Sequence, residues 1–227
     1  MKVTTSEFTT SAVRVGDVPR DGIPQVALVG RSNVGKSSLI NALVRRKIAR
    51  TSAAPGKTRL ANFYRVELSG VHPGPRTGER RAGPRFTGTL YLVDLPGYGY
   101  ARGGQASARA FDALTQDYFG WLTDTSRDQP PARRILGGTI LVVDGRHPGL
   151  PRDLAAHAWI ADLGLPFGVV ATKVDTLGRT ARQRAHRESE TVLNARVLPV
   201  STATGEGLRE LWKLIIRLVT GGTSTAT

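Results

Sequence analysis

Between Gln25 and Arg46 the chain passes from an apolar run over 25–29, through Gly30-Arg31-Ser32-Asn33-Val34-Gly35-Lys36-Ser37, into a segment of helical period. No other stretch restricts the fold as much. The run is too short for a helix and lacks the polar alternation of a half-wetted strand, so it predicts an interior strand of a parallel sheet. Gly30 and Gly35 let the backbone wrap closely before it enters a helix N-terminus. The N–H groups of such a loop, backed by the helix dipole, make a cradle for phosphate. Lys36 then reaches the β- and γ-phosphates of a nucleotide, and the Ser37 hydroxyl can ligate Mg²⁺. The competing reading is a chance glycine-rich turn; the strand before it and the helix after it argue against that.

The same alternation continues along the chain. Strands are predicted over 25–29, 63–68, 89–93, 139–143, 168–171 and 196–200, and helices over 36–46, 107–122, 152–163, 179–193 and 208–219. In the last helix Leu208, Leu211, Trp212, Ile215 and Leu218 recur every three or four residues, one apolar stripe that should lie on the sheet. The expected fold is an α/β P-loop NTPase: a mostly parallel six-stranded sheet with one antiparallel edge pair and helices on both faces. One domain is expected over residues 1–220. Residues 70–88 (GVHPGPRTGERRAGPRFTG) interrupt it as an exposed basic insertion, and 221–227 read as a disordered tail.

Three further motifs fall just after predicted strands, at the sheet edge where open α/β folds bind ligands. Asp94-Leu95-Pro96-Gly97 puts a carboxylate on the metal side, Asp94 acting through a water, and lets Gly97 offer its N–H to a γ-phosphate. Thr172-Lys173-Val174-Asp175 selects the base. The Asp175 carboxylate can accept hydrogen bonds from guanine N1–H and its exocyclic amine, a donor pair that adenine lacks. Lys173 can lie along the base plane and brace the phosphate loop. The Ser201-Thr202-Ala203 loop can offer an N–H to guanine O6, although a helix cap would use the same residues. Between the first helix and second strand, residues 50–59 (RTSAAPGKTR) form a segment able to close over nucleotide. Thr58, after the Pro-Gly turn, is the expected metal ligand in preference to Thr51. Release of this segment on γ-phosphate loss is the physical basis of a switch.

Composition bears on the partners. The net charge is +14, which suits a polyanion such as RNA, but the 32 basic residues are 26 Arg and six Lys, a bias that GC-rich coding alone could produce. No cysteine is present, which excludes disulfides and thiolate metal sites. The start, MKVTTSEFTTSAV, lacks the apolar run of a signal peptide, so a cytoplasmic monomer is expected.

The segments GRSNVGKSSLINALV, RTSAAPGKTRLANFY, VDLPGYGYA and ATKVD, in this order, resemble the EngB (YihA/YsxC) family of bacterial ribosome-assembly GTPases, within the TrmE-Era-EngA-EngB-like group. The likeness covers about residues 1–220. It implies nucleotide contacts from Gly30, Arg31, Ser32, Asn33, Val34, Gly35, Lys36 and Ser37, and from Gly56, Lys57, Thr58, Arg59 and Leu60. It implies them also from Asp94, Leu95, Pro96 and Gly97, from Thr172, Lys173, Val174 and Asp175, and from Ser201 and Thr202. Mg²⁺ would be held by Ser37 and Thr58, with Asp94 behind a water, and Lys36, Thr58 and Gly97 would be the catalytic set. The family implies action on the large ribosomal subunit precursor, its rRNA and proteins, and a need for the protein in cell division and septation. Tyr98 stands where many small GTPases carry a water-orienting glutamine, so unaided turnover should be slow, and a K⁺ ion at Asn33 could supply the missing charge. The rival readings are a nucleotide-gated interaction module without RNA contact, and a P-loop ATPase or kinase, which Asp175 disfavours.

Overall fold

The computed structural model describes residues 2–51, 60–71, 85–98, 115–120 and 136–220. Among them, seven strands form one sheet: β1 (Lys2–Ala12), β2 (Gln25–Gly30), β3 (Ala61–Val71), β4 (Arg85–Asp94), β5 (Leu136–Asp144), β6 (Phe167–Thr172) and β7 (Val197–Pro199). Their order is β1-β3-β4-β2-β5-β6-β7. β2 pairs in parallel with β4 and β5, and β6 and β7 extend the parallel side. β3 runs antiparallel to both β4 and β1. The expected fold class holds, with one strand more than the six predicted. The added strand is β1, in which only Ser6 and Ala12 are buried, so its run of Thr and Ser shows no period of two.

The strands are joined by the helices α1 (Lys36–Val44), α2 (Pro151–Asp162), α3 (Arg179–Leu193) and α4 (Leu208–Val219). Residues 115–120 are helical as well, inside the predicted helix 107–122, whose remainder lies outside the described residues. β2 is buried along its whole length because both of its faces are covered. Val26 and Leu28 join Leu39, Ile40, Leu211 and Ile215 on the α1–α4 side, while Ala27 and Val29 join Phe119, Ile160 and Leu193 on the other. Each fully buried Leu or Ile stabilises by about 1.5–3 kcal/mol, so the α4 stripe alone fixes that helix to the sheet. Trp212 adds a bond from its Nε1–H to the Leu43 carbonyl at 3.2 Å, tying α4 to the end of α1.

The register positions the site. Leu28 stands opposite Asp94 and opposite Ile140, so the loop leaving β2 starts beside the ends of β4 and β5.

Candidate functional site

Gly30 closes β2 and Gly35 opens α1, the latter at φ 109°, a left-handed conformation that a side chain would strain. A Cβ on Gly30 would stand 2.5 Å from the Val142 carbonyl oxygen and 2.9 Å from Val34 Cγ1, so only glycine lets the loop pass β5 this closely. The Val34 side chain is buried in the core, and the Val34 carbonyl accepts the Thr172 hydroxyl at 2.7 Å. The loop is thereby fastened at its middle to β6.

Lys36 is buried, and its ammonium donates to the carbonyls of Gly30 at 2.9 Å and Arg31 at 3.2 Å. Burial lowers its pKa, and the Asp94 charge opposes that shift. Asp94 is buried too; burial raises its carboxyl pKa, against the Lys36 charge and the Ser37 hydroxyl. Ser37 Oγ donates to Asp94 Oδ2 at 2.5 Å, while Asp94 Oδ1 is buried with no hydrogen-bond partner. An unpartnered buried carboxylate oxygen beside a hydroxyl is the donor set of a hard cation, so these residues fit Mg²⁺.

Gly97 packs on the loop, where a Cβ would lie 2.5 Å from the Ser32 nitrogen. The Ser32 N–H donates to the Tyr98 carbonyl at 3.1 Å and its hydroxyl to the Gly97 carbonyl at 3.2 Å. Tyr98 itself turns aside: its hydroxyl donates to Asp153 Oδ1 at 2.8 Å. Asp153, on α2, also takes the Arg31 guanidinium at 3.1 and 3.2 Å. Burial raises the Asp153 pKa against its two donors, and burial followed by the Asp153 charge raises that of Tyr98.

On the other side Lys173 adopts φ 61° and extends its ammonium to the Asn33 carbonyl at 2.8 Å and Asp144 Oδ2 at 3.0 Å. The predicted brace on the phosphate loop is present. Arg146 grips the same Asp144; burial pushes that carboxyl's pKa upward, but the bonds from Arg146 and Lys173 outweigh it and hold the pKa well below the usual range. Asp175 is exposed in the short turn Val174–Thr176. Buried Ser201 accepts the N–H groups of Ala203 and Thr204 on its hydroxyl, at 3.2 and 3.0 Å, leaving Thr202 exposed. Arg182 of α3 and Glu206 form a two-pronged ion pair across this gap, and the Asp175 charge acts on both.

The structure thus joins Gly30, Lys36, Ser37 and Asp94; Ser32 with Gly97; Val34 with Thr172; and Asn33 with Lys173. Some expected contacts are narrowed. The side chains of Val34, Leu95, Pro96 and Val174 are buried, so only their backbone can face a ligand, and the Arg31 side chain belongs to Asp153. Leu60 is a half-buried bend before β3. Gly56, Lys57, Thr58 and Arg59 lie outside the described residues. Sequence reasoning missed Asp144, Asp153 and the Arg182–Glu206 pair. A carboxylate closing the apolar run Ile140–Val143 was the available signal for Asp144.

The comparisons agree with this architecture. A family profile described as 50S ribosome-binding GTPase matches residues 25–173. The probable GTP-binding protein EngB of Symbiobacterium thermophilum is 44% identical over 230 residues, covering 92% of this chain and 94% of that protein. That of Clostridioides difficile is 35% identical, covering 95% and 94%. Among solved structures, a probable GTP-binding protein engB aligns with TM-score 0.55 at 19% identity, over 87% of this chain and 99% of that one. A single-residue variant of Aquifex aeolicus Era bound to GDP·AlF4⁻ aligns with TM-score 0.60 at 22% identity, over 86% of this chain and 56% of that one. These two show the fold alone. No helix among the described residues is long and apolar enough to cross a membrane. With the glycine-bounded loop, the buried Asp94 carboxylate and the exposed Asp175 turn at the ends of β2, β4 and β6, and with relatives of this identity over nearly its whole length, the chain belongs to the EngB family of GTP-binding proteins and is a P-loop GTPase.

Proposed function

We propose that this GTPase is a cytoplasmic Mg²⁺-dependent switch, a single G domain over residues 1–220, that acts on the large ribosomal subunit precursor and supports division and septation through it. The observation that carries the nucleotide reading is the meeting of Lys36, Ser37 and Asp94 at the ends of β2 and β4, with Lys173 braced on Asn33. A buried ammonium held by two neutral carbonyls is short of countercharge, and the phosphates of GTP supply it. Ser37 and Asp94 would hold Mg²⁺, with Thr58 as the expected further ligand; when bound, the ion neutralises charge developing on the phosphates. Gly97 would give its N–H to the γ-phosphate, exchanging its contact with Ser32 for that bond, and 50–59 would close beside it. Because the Tyr98 hydroxyl is turned to Asp153, no side chain at 98 orients the attacking water, which supports slow turnover. The ribosomal partner is supported by the matching family's description and by the +14 charge.

Base reading is tested by Asp175→Asn, which exchanges an acceptor for an amide that suits xanthine. Equilibrium binding should shift from GTP toward XTP, and an unchanged preference for GTP would remove Asp175 from the base site. Co-sedimentation with 50S subunits in GTP and in GDP tests the partner. State-dependent binding is expected; none in either state would separate the GTPase from the ribosome.

A further inference from the structure

The turn after α1 reads Arg45-Arg46-Lys47-Ile48-Ala49-Arg50, four cations in six residues, all four exposed. Its backbone is tightly held. Asn41 of α1 accepts the N–H groups of Ile48 and Ala49 on its side-chain oxygen, at 2.9 and 2.8 Å, and donates its amide to the Ala49 carbonyl at 2.8 Å. Arg45 takes a left-handed conformation at φ 54°, with its N–H on Ala42, and the Arg46 N–H bonds Asn41. The Trp212 bond to Leu43 clamps α4 onto the preceding turn of helix, and Arg46 Nη1 donates to the Ser6 carbonyl on β1. Ala49 is buried and anchors the centre.

Elsewhere Arg14, Arg31, Arg65, Arg146, Lys173, Arg182, Arg209 and Lys213 are in ion pairs, while Arg179, Arg184 and Arg187 of α3 have no described carboxylate partner and serve below as the control. Among the described residues no carboxylate pairs with Arg45, Arg46, Lys47 or Arg50. The negative end of the α1 dipole accounts for cations at 45 and 46, since that effect fades within one turn, but not for those at 47 and 50. A solvated basic turn would not need three hydrogen bonds from one asparagine side chain to hold its backbone. A row of uncompensated cations on a fixed backbone meets a polyanion without the ordering cost of a mobile tail.

We infer that the 45–50 turn is a docking surface for the phosphate backbone of RNA. This rests on the proposed ribosomal role and names the surface for it. The turn leads directly into 51–59, the segment expected to respond to γ-phosphate.

The test uses the full chain loaded with a non-hydrolysable GTP analogue, with 50S subunits and protein-free 23S rRNA as probes over a salt series. The triple variant Arg45→Asn, Lys47→Gln, Arg50→Gln keeps a residue that tolerates the left-handed position. Its salt slope on both probes should fall by about two to three units, at 0.7–0.9 per lost phosphate contact, with affinity near physiological salt lower by at least about tenfold. The control Arg179→Gln, Arg184→Gln, Arg187→Gln removes equal charge from exposed positions of α3 and should leave the slope unchanged. Should the first triple melt early, Lys47→Glu alone must lower the slope by at least about 0.7 units. Equal losses in both triples, or none in the turn variant while the wild type binds, overturn the assignment. Loss on 50S subunits without loss on stripped rRNA makes the partner a protein and also overturns it. A wild type that binds neither probe overturns the ribosomal reading itself.

Discussion

A buried ammonium, Lys36, and a buried carboxylate, Asp94, meet at the ends of β2 and β4, and single substitutions separate their work. Lys36→Ala removes the cation and should weaken GTP and GDP together, by about 10- to 100-fold from a charged hydrogen bond worth about 1.5–3 kcal/mol. Ser37→Ala should instead erase the difference in GTP affinity between excess Mg²⁺ and chelator, leaving the metal-free affinity near that of the wild type. Titration of a fluorescent nucleotide reads both; a Ser37→Ala protein that kept the full Mg²⁺ effect would place the ion elsewhere. Asn33 is exposed at φ 62°, a conformation that asparagine tolerates, so the backbone alone gives it a reason to be there. The K⁺ expectation then rests on resemblance, and turnover in K⁺ and Na⁺ at equal ionic strength tests it, with faster hydrolysis in K⁺ expected and equal rates removing the ion. Residues inside short motifs were marked in the sequence, Lys36 and Ser37 by loop spacing and Lys173 and Asp175 by their run, even though Ser37 and Lys173 find partners 57 and 140 positions away. Asp153 was not, because it lies in no motif and no pattern in α2 marks the buried carboxylate that takes Arg31 and Tyr98.

At the scale of elements, α3 and the loop after β7 are coupled through Arg182 and Glu206. The Ser201 N–H donates to the Glu206 carbonyl at 3.0 Å, so the ion pair holds the whole 201–206 loop beside the turn that carries Asp175. Exposed pairs are worth about 0.2–1 kcal/mol, hence Arg182→Ala or Glu206→Ala should speed GDP release by about two- to fivefold. The charge-reversed double variant should recover most of that, whereas an identical release rate in every variant would make the pair ornamental to the site. Turnover at saturating GTP should not move. Helix limits over 179–193 and 208–219 matched prediction because period and glycine boundaries coincide there. β1 escaped because its ladder with β3 carries two bulges, between Val3 and Thr5 and between Phe8 and Thr10, which break alternation. Its four threonines were the remaining signal, and β-propensity without burial pattern is weak.

Across the whole molecule, the antiparallel β3–β4 ladder sets the distance between the basic insertion and the nucleotide. The pairing runs without a break from Asn62 opposite Asp94 to Val71 opposite Arg85. Nine residue steps from 62 to 71, at about 3.4 Å each, put the roots of the insertion about 30 Å from the Asp94 carboxylate. That exceeds the physiological Debye length of about 8 Å several times over, so the charges of Arg76, Arg80 and Arg81, which lie outside the described residues, are screened from the phosphates if they stay near those roots. Replacing 72–84 by a short Gly-Ser turn should therefore leave GTP and GDP affinities within about twofold of the wild type, since a two-residue hairpin can close the same ladder. A larger loss would mean that the segment folds back along the sheet to the site. The same variant separates two uses of the charge. A solvated insertion leaves the salt slope of 50S binding unchanged, whereas arginines that meet rRNA lower it by about 0.7–0.9 units per lost contact, independently of the 45–50 turn.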